Sequence, residues 1–289
     1  MAPAVSPDGR HLAFIANTGD FGKGELWIRD LDSLEFREVT GTTEAADPFW
    51  SPDSRFIGFF HSSSLKKIPL SGGPTLLLCD TDGEYGESWS QNGVILFAKF
   101  PGALFRVSDN GLSATPVTEL DKTSGETSHC CPWFLPDGHH FLYTALNKDP
   151  RKNAVYVGDL DSKTRRLVLT STTVATVYAK PGYLLFTRDE GTLMAQAFDA
   201  RADETTGDPV PIAEKVASAS FSASQNGVLV YHPSDIRSDV QLTWFDPHGK
   251  EVGAIGKPGI WGRPSISPDG NAVVFDGVDP ATGSTNLYL

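Results

Sequence analysis

Ser6-Pro7-Asp8-Gly9 opens a segment in which Leu12, Phe14 and Ala16 take alternate positions, and the same arrangement returns along the chain. It recurs as Ser51-Pro52-Asp53-Ser54, Leu135-Pro136-Asp137-Gly138 and Ser267-Pro268-Asp269-Gly270. Degenerate copies stand between these. Ser90-Gln91-Asn92-Gly93 precedes Val94-Ile95-Leu96-Phe97, and Ala179-Lys180-Pro181-Gly182 precedes Tyr183-Leu184-Leu185-Phe186. Ser224-Gln225-Asn226-Gly227, before Val228-Leu229-Val230-Tyr231, is a near copy of the first of them. The first residues of the seven copies are separated by 45, 39, 45, 44, 45 and 43 positions. A period in this range marks a repeat architecture, in which each unit buries its apolar faces against its neighbours. The aspartate has a local reason, since its carboxylate accepts backbone N–H groups two residues on and the next residue takes positive φ. Repeated once per unit around a ring, Asp8, Asp53, Asp137 and Asp269 cannot converge on a metal, so they are read as fold devices.

Within one period the pattern is constant. After the first turn come Leu26-Trp27-Ile28-Arg29-Asp30-Leu31 and then Phe36-Arg37-Glu38-Val39; after the fourth come His140-Phe141-Leu142-Tyr143, Ala154 to Leu160 and Thr164 to Leu169. Runs of about 5 residues are strands. Four antiparallel strands per repeat of about 45 residues is the arithmetic of a β-propeller blade. The expected fold is therefore all-β, with seven repeats at 1–43, 44–82, 83–125, 126–171, 172–215, 216–259 and 260–289. The last repeat lacks a fourth strand, so 1–289 reads as one domain and as a fragment of a longer array, with six blades plus a partial repeat as the competing geometry.

Composition agrees. The 289 residues carry 39% hydrophobic and 10% aromatic side chains, enough for a sizeable core, and 28 Gly with 20 Pro interrupt long helices. Lys plus Arg is 24 against 36 Asp plus Glu, a net charge of −12 that repels phosphate backbones, so nucleic acid is not an expected partner. No run approaches the roughly 20 apolar residues that span a bilayer. Three cysteines, Cys79, Cys130 and Cys131, cannot form a disulfide framework.

The turn, its apolar strand and the Leu-Trp-Ile or Val-Tyr-Val strand after it resemble the TolB-like, tryptophan–aspartate-like β-propeller repeat over nearly the whole chain. More narrowly, the block Phe49 to Phe60 looks like the propeller region that follows the kinase domain and membrane helix in acidobacterial-type serine/threonine kinases. Gly125-Glu126-Thr127-Ser128-His129, Pro181 to Phe186 and Gly191-Thr192-Leu193-Met194-Ala195-Gln196 match it too. The resemblance implies an extracytoplasmic module, the sensory end of such a kinase. Kinase activity does not carry over, because the Gly-rich loop with a following Val-Ala-Ile-Lys and the His-Arg-Asp catalytic loop do not occur.

Enzymatic chemistry finds little footing. Propellers of this type also cap prolyl-oligopeptidase-like hydrolases, which is the alternative reading, with the catalytic domain outside this chain. Here no Gly-x-Ser-x-Gly elbow occurs, and Gly86-Glu87-Ser88-Trp89-Ser90 lacks the second Gly. His129-Cys130-Cys131 and Asp137-His139-His140 contain metal-capable side chains, but a strand of about 17–20 Å separates them, too far for one zinc shell. Gly72-Gly73-Pro74 is a hairpin turn and no phosphate cradle. No cofactor is expected.

What remains is the mouth of the central channel, where residues just before each inner strand converge. There stand Glu44 and Asp47, Glu84, Tyr85 and Glu87, Glu126 and His129, Thr176 and Tyr178, Ser220, and Trp261 with Arg263. The candidate binding residues are Asp47, Glu84, Tyr85, Glu87, Glu126, His129, Tyr178, Trp261 and Arg263. An acidic rim with aromatic members suits a protein, a peptide or a small cationic ligand. Trp27, Trp50, Trp89, Trp133 and Trp244 fall on strands and are assigned to packing between blades. The chain is read as a monomeric, non-catalytic recognition or scaffold domain.

Overall fold

The computed structural model describes residues 3–17, 24–81, 86–111, 113–170, 174–188, 191–234, 240–245, 248, 250–259, 261–267, 272–278 and 285–288. They form strands almost throughout, with a short 3-10 turn at Pro150–Lys152. The chain divides into two compact units, Met1–Ser234 and Asp235–Leu289. Among the described residues no helix is long and apolar enough to cross a membrane.

The first unit holds six antiparallel sheets whose strands pair in chain order. Their innermost strands are Ala4–Val5, Ala45–Trp50, Glu87–Trp89, Glu126–Phe134, Thr176–Ala179 and Val216–Ala223. The first five sheets have four strands each, and the sixth has two. The second unit has a two-stranded sheet, Val240–Phe245 with Glu251–Gly259, and a three-stranded one, Trp261–Ile266, Val273–Val278 and Thr285–Tyr288.

The turn predicted from Ser-Pro-Asp-Gly forms as expected. Asp8 Oδ1 accepts Arg10 N–H at 3.1 Å, Asp53 Oδ1 accepts Arg55 N–H at 3.1 Å, and Asp137 Oδ1 accepts His139 N–H at 2.9 Å. Gly9, Ser54 and Gly138 come next with φ of 69°, 59° and 69°. The Ser6 and Ser51 hydroxyls donate to these carboxylates at 2.6 Å and accept the N–H groups that open the next strand. For Ser267 the turn residues 268–270 lie outside the described residues.

Alternation along each strand sends side chains to two different cores. Ile57 and Phe59 pack with Leu26 and Ile28 of the first sheet, whereas Phe60 packs with Ile95 and Phe97 of the third. Between them Gly58 leaves room for the ring of Phe49 on the paired strand, since a Cβ there would lie 2.1 Å from its Cζ. Five such cores join the six sheets in succession. Burying a Leu, Ile or Phe contributes about 1.5–3 kcal/mol each, so these cores are the main cohesion between sheets.

The sixth sheet meets the first. Val5 N–H donates to Ser222 Oγ at 3.2 Å, Gln225 N–H to Pro7 O at 2.9 Å, and Asn226 Nδ2 to Asp8 O at 2.8 Å. Other turns touch in the same manner: Asp8 N–H donates to Ser54 Oγ, Ser90 Oγ and Asn92 Nδ2 to Gly138 O, and Lys180 Nζ to Gln225 Oε1. In the first unit the sixth sheet is thus the neighbour of the first, while residues 260–289 of the seventh repeat lie in the second unit.

Candidate functional site

The six inner strands of the first unit enclose a cavity of about 270 Å³. Each supplies side chains or backbone to its wall, including Trp50, Glu87, Trp89, Trp133, Tyr178 and Phe221. A space of about 150 Å³ admits a benzene and drug-sized ligands start near 300 Å³. The cavity therefore takes a group the size of one large side chain.

Its wall is held in place from behind. Trp50 Nε1 donates to Ala4 O at 2.9 Å, and its indole stacks on His11 at 5.9 Å between ring centroids. Trp89 packs against Phe49, with Lys67 Nζ 5.5 Å from its ring. Ser88 Oγ accepts Phe134 N–H at 2.9 Å, the same service that Ser222 gives Val5. That bond gives the Ser88 hydroxyl a structural role between adjacent sheets.

Two of these inner strands share a bulge at the same place. Asp47 and Cys131 have φ of 43° and 53°, and register shifts fall between Ala46 and Phe49 and between Cys130 and Trp133. Pro48 and Pro132 come directly after, and a residue without an N–H is tolerated where the ladder is interrupted. Gly86, with φ of 81°, holds the matching place four residues before its turn. A Cβ on Gly86 would lie 2.7 Å from Cys131 Cα, so only glycine fits that approach. The bulges bring Asp47, Glu87 and Cys131 into one neighbourhood. Burial raises the Asp47 carboxyl, burial and then Asp47 push Glu87 well up, and Cys130, burial and both carboxylates push up the Cys131 thiol. Glu87 Oε2 is buried with no hydrogen-bond partner.

No family model matches the chain. An uncharacterized protein of Agrobacterium fabrum is 25% identical over 294 residues, which spans 92% of this chain and 96% of its own. TolB from Acinetobacter baumannii superposes with a TM-score of 0.62 at 14% identity, over 80% of this chain and 62% of TolB. A chain of the nidogen–laminin complex superposes with a TM-score of 0.55 at 10% identity, over 72% of this chain and 78% of its own. The fold is a TolB-like β-propeller.

Among the described residues the predicted rim divides between the cavity and a buried network. Glu87 and Tyr178 are part of the cavity wall, and Asp47 stands close enough to Glu87 to raise its pKa. Glu84 and Tyr85 lie outside the described residues, as do the side chains of Trp261 and Arg263, whose backbones belong to Trp261–Ile266 of the second unit.

Glu126 and His129 correct the sequence reading, because they are buried in a polar network and do not line the cavity. Glu126 Oε1 pairs with Arg165 Nη1 at 2.7 Å, while Oε2 accepts Asp121 N–H at 2.7 Å and faces His129 Nε2 at 3.1 Å. His129 Nδ1 lies 2.8 Å from Thr118 Oγ1, which accepts Leu104 N–H at 2.9 Å. The bonds close if Nε2 carries the proton and the Thr118 hydroxyl donates to Nδ1, leaving a neutral imidazole fully satisfied. Burial lowers the His129 pKa accordingly, against the raising effect of Glu126. Tyr143, pushed up to about 12 mainly by burial, packs on His129 at 4.8 Å between ring centroids. This network ties the segment after the third blade to the face of the fourth.

The tryptophans correct it in the other direction. Trp50, Trp89 and Trp133 pack between blades as expected, but they also wall the cavity. Their place in the last two positions of an inner strand was the available signal. His139 and His140 lie beyond the turn as predicted, bound to Asp137 and Asp159.

Proposed function

We propose that this propeller is a non-catalytic recognition domain that binds a protein through a short peptide segment in the cavity of its first unit. The observation that carries this reading is the convergence of aromatic residues from several inner strands on one small space, the kind of anchor pocket that dominates binding energy at interfaces. The likeness to a chain of the nidogen–laminin complex supports a protein as the partner class. The kinase-linked resemblance of the Phe49 to Phe60 block supports a sensory placement for such binding.

The test is selection of a random peptide library on the purified protein, with Trp133→Ala and Tyr178→Ala as parallel baits whose folding is checked by thermal melts. Enrichment of peptides that lose at least tenfold in affinity on either variant is expected. Failure to enrich any peptide, or peptides that bind both variants unchanged, overturns the assignment.

A further inference from the structure

The wall of the cavity carries two charged side chains, Glu87 and Lys180. Lys180 stands at the turn end, where its Nζ donates to Gln225 Oε1 at 3.1 Å. Glu87 is different. Its Oε2 is shut away from water without a hydrogen-bond partner, and Asp47 on the adjoining strand adds a second negative group behind it. A buried carboxyl atom without a hydrogen-bond partner is costly in an apolar site, and such an atom in a folded protein points to something outside the chain that completes it. The remaining wall is rich in aromatic rings, Trp89 from the same strand and Trp50, Trp133 and Tyr178 from its neighbours. Aromatic faces attract cations, and more strongly where water is excluded. A carboxyl among aromatic rings in one cavity wall is complementary to an organic cation with an apolar stem and a compact charged head.

We infer that the cavity selects a primary ammonium group on an apolar stem, the chemistry of a lysine side chain, with the ammonium on Glu87 and the stem against Trp133 and Tyr178. This rests on the reading of the cavity as a peptide site and names the residue it takes. The volume agrees, since about 270 Å³ holds one long side chain and no folded segment. A hydrated metal ion would gain little from the indole walls.

Binding is coupled to protonation. Burial and Asp47 hold the Glu87 carboxyl in its neutral form to unusually high pH, and an arriving ammonium favours the ionised form. Affinity therefore rises with pH as Glu87 ionises, and complex formation releases a proton. The other titratable groups at this place are Asp47, Cys131 and, at the turn end, Lys180. Asp47→Asn leaves the burial that chiefly raises Glu87 and removes the second cause, so it shifts the binding profile to lower pH while binding itself persists.

Nα-acetyl-lysine amide, its uncharged isostere Nα-acetyl-norleucine amide and calcium chloride serve as probes, followed by indole fluorescence and by calorimetry in buffers of different ionisation enthalpy. The lysine amide is expected to bind at least tenfold more tightly than the norleucine amide, and Glu87→Gln to abolish that difference. Thermal melts confirm that the variant is folded. If Glu87→Gln does not fold, the Asp47→Asn profile decides: a shift to lower pH supports the inference and an unshifted profile overturns it. Equal binding of the two amides, or saturable calcium binding that displaces the lysine amide, also overturns it. Those results leave peptide recognition standing if the library yields cavity-dependent peptides, so the two failures are distinguishable.

Discussion

Arg165→Met tests the buried network most directly. In the wild type the Arg165 guanidinium sits 2.7 Å from Glu126 Oε1, and its Cζ lies 4.2 Å from the centre of the Tyr156 ring. Removing one partner of a buried ion pair costs about 3–5 kcal/mol, because the other charge stays behind uncompensated. Here the Glu126 side chain is 4% exposed but that of Arg165 is 24% exposed, so water screens part of the loss and about 2–3 kcal/mol is expected. For a chain of this size that is a fall in Tm of about 4–12 °C. The acid side gives a second readout. His129 is held below its ordinary pKa, so its contribution is present above about pH 6.5 and is lost as pH falls toward the folded value. Arg165 helps hold it down, hence Arg165→Met lets it rise and shrinks the loss of stability between pH 7 and 5. Glu126→Gln removes the group that supports the imidazolium and should steepen the same loss. Melting temperatures of the three proteins across that range supply the assay. A loss below about 0.5 kcal/mol for Arg165→Met at pH 7.5, or acid profiles that move in the same direction, would refute the network.

Three further outcomes rest on contacts between and within the sheets. Asn226→Asp keeps the acceptor for Ser224 but loses the donor to Asp8 O and sets a carboxylate against that carbonyl, which should cost about 1 kcal/mol in urea unfolding at neutral pH. Gly58→Ala places a Cβ inside the ring of Phe49 and should cost about 1–3 kcal/mol; Phe49→Leu in the same chain should recover part of it in calorimetry. In a proton NMR titration of the imidazoles, His140 should titrate above 6.5, raised chiefly by its bond to Asp137, and His129 below it. Stability from His140 is therefore complete below pH 6.5 and is lost as pH rises through its folded value, the reverse of His129.

The succession of sheets was legible in the sequence because a turn with an obligatory φ and a side-chain cap leaves the same residues wherever it occurs. The polar network was not, because its members meet across a sheet. Arg165 stands on the outer strand of the fourth blade and Glu126 on the inner one, and no spacing rule joins them. Glu126 and His129 were placed at the mouth on the assumption that the inner strand begins after them. It begins at Glu126, which puts both inside the ladder, and the positive φ at Cys131 re-aims the residues beyond it. Cavity and core were likewise inseparable at that stage, since one tryptophan can serve both where inner strands converge.

The near-identical turns at Ser90 and Ser224 read as decayed copies of the aspartyl turn, yet the departure from the pattern is what carries information. A carboxylate can cap its own turn but cannot donate. The carboxamide of Asn226 accepts Ser224 Oγ on one atom and gives Asp8 O a hydrogen bond on the other, and Asn92 likewise donates to Gly138 O. Each asparagine therefore stands where one turn is bonded to the turn of the next sheet, at the joints between the third and fourth and between the sixth and first. At these two seams the asparagine supplies a donor that an aspartate lacks, and Gly9 shows how closely one of them is fitted. A Cβ there would lie 2.2 Å from Asn226 Oδ1, so any larger residue would displace the carboxamide from Asp8 O besides straining its own φ.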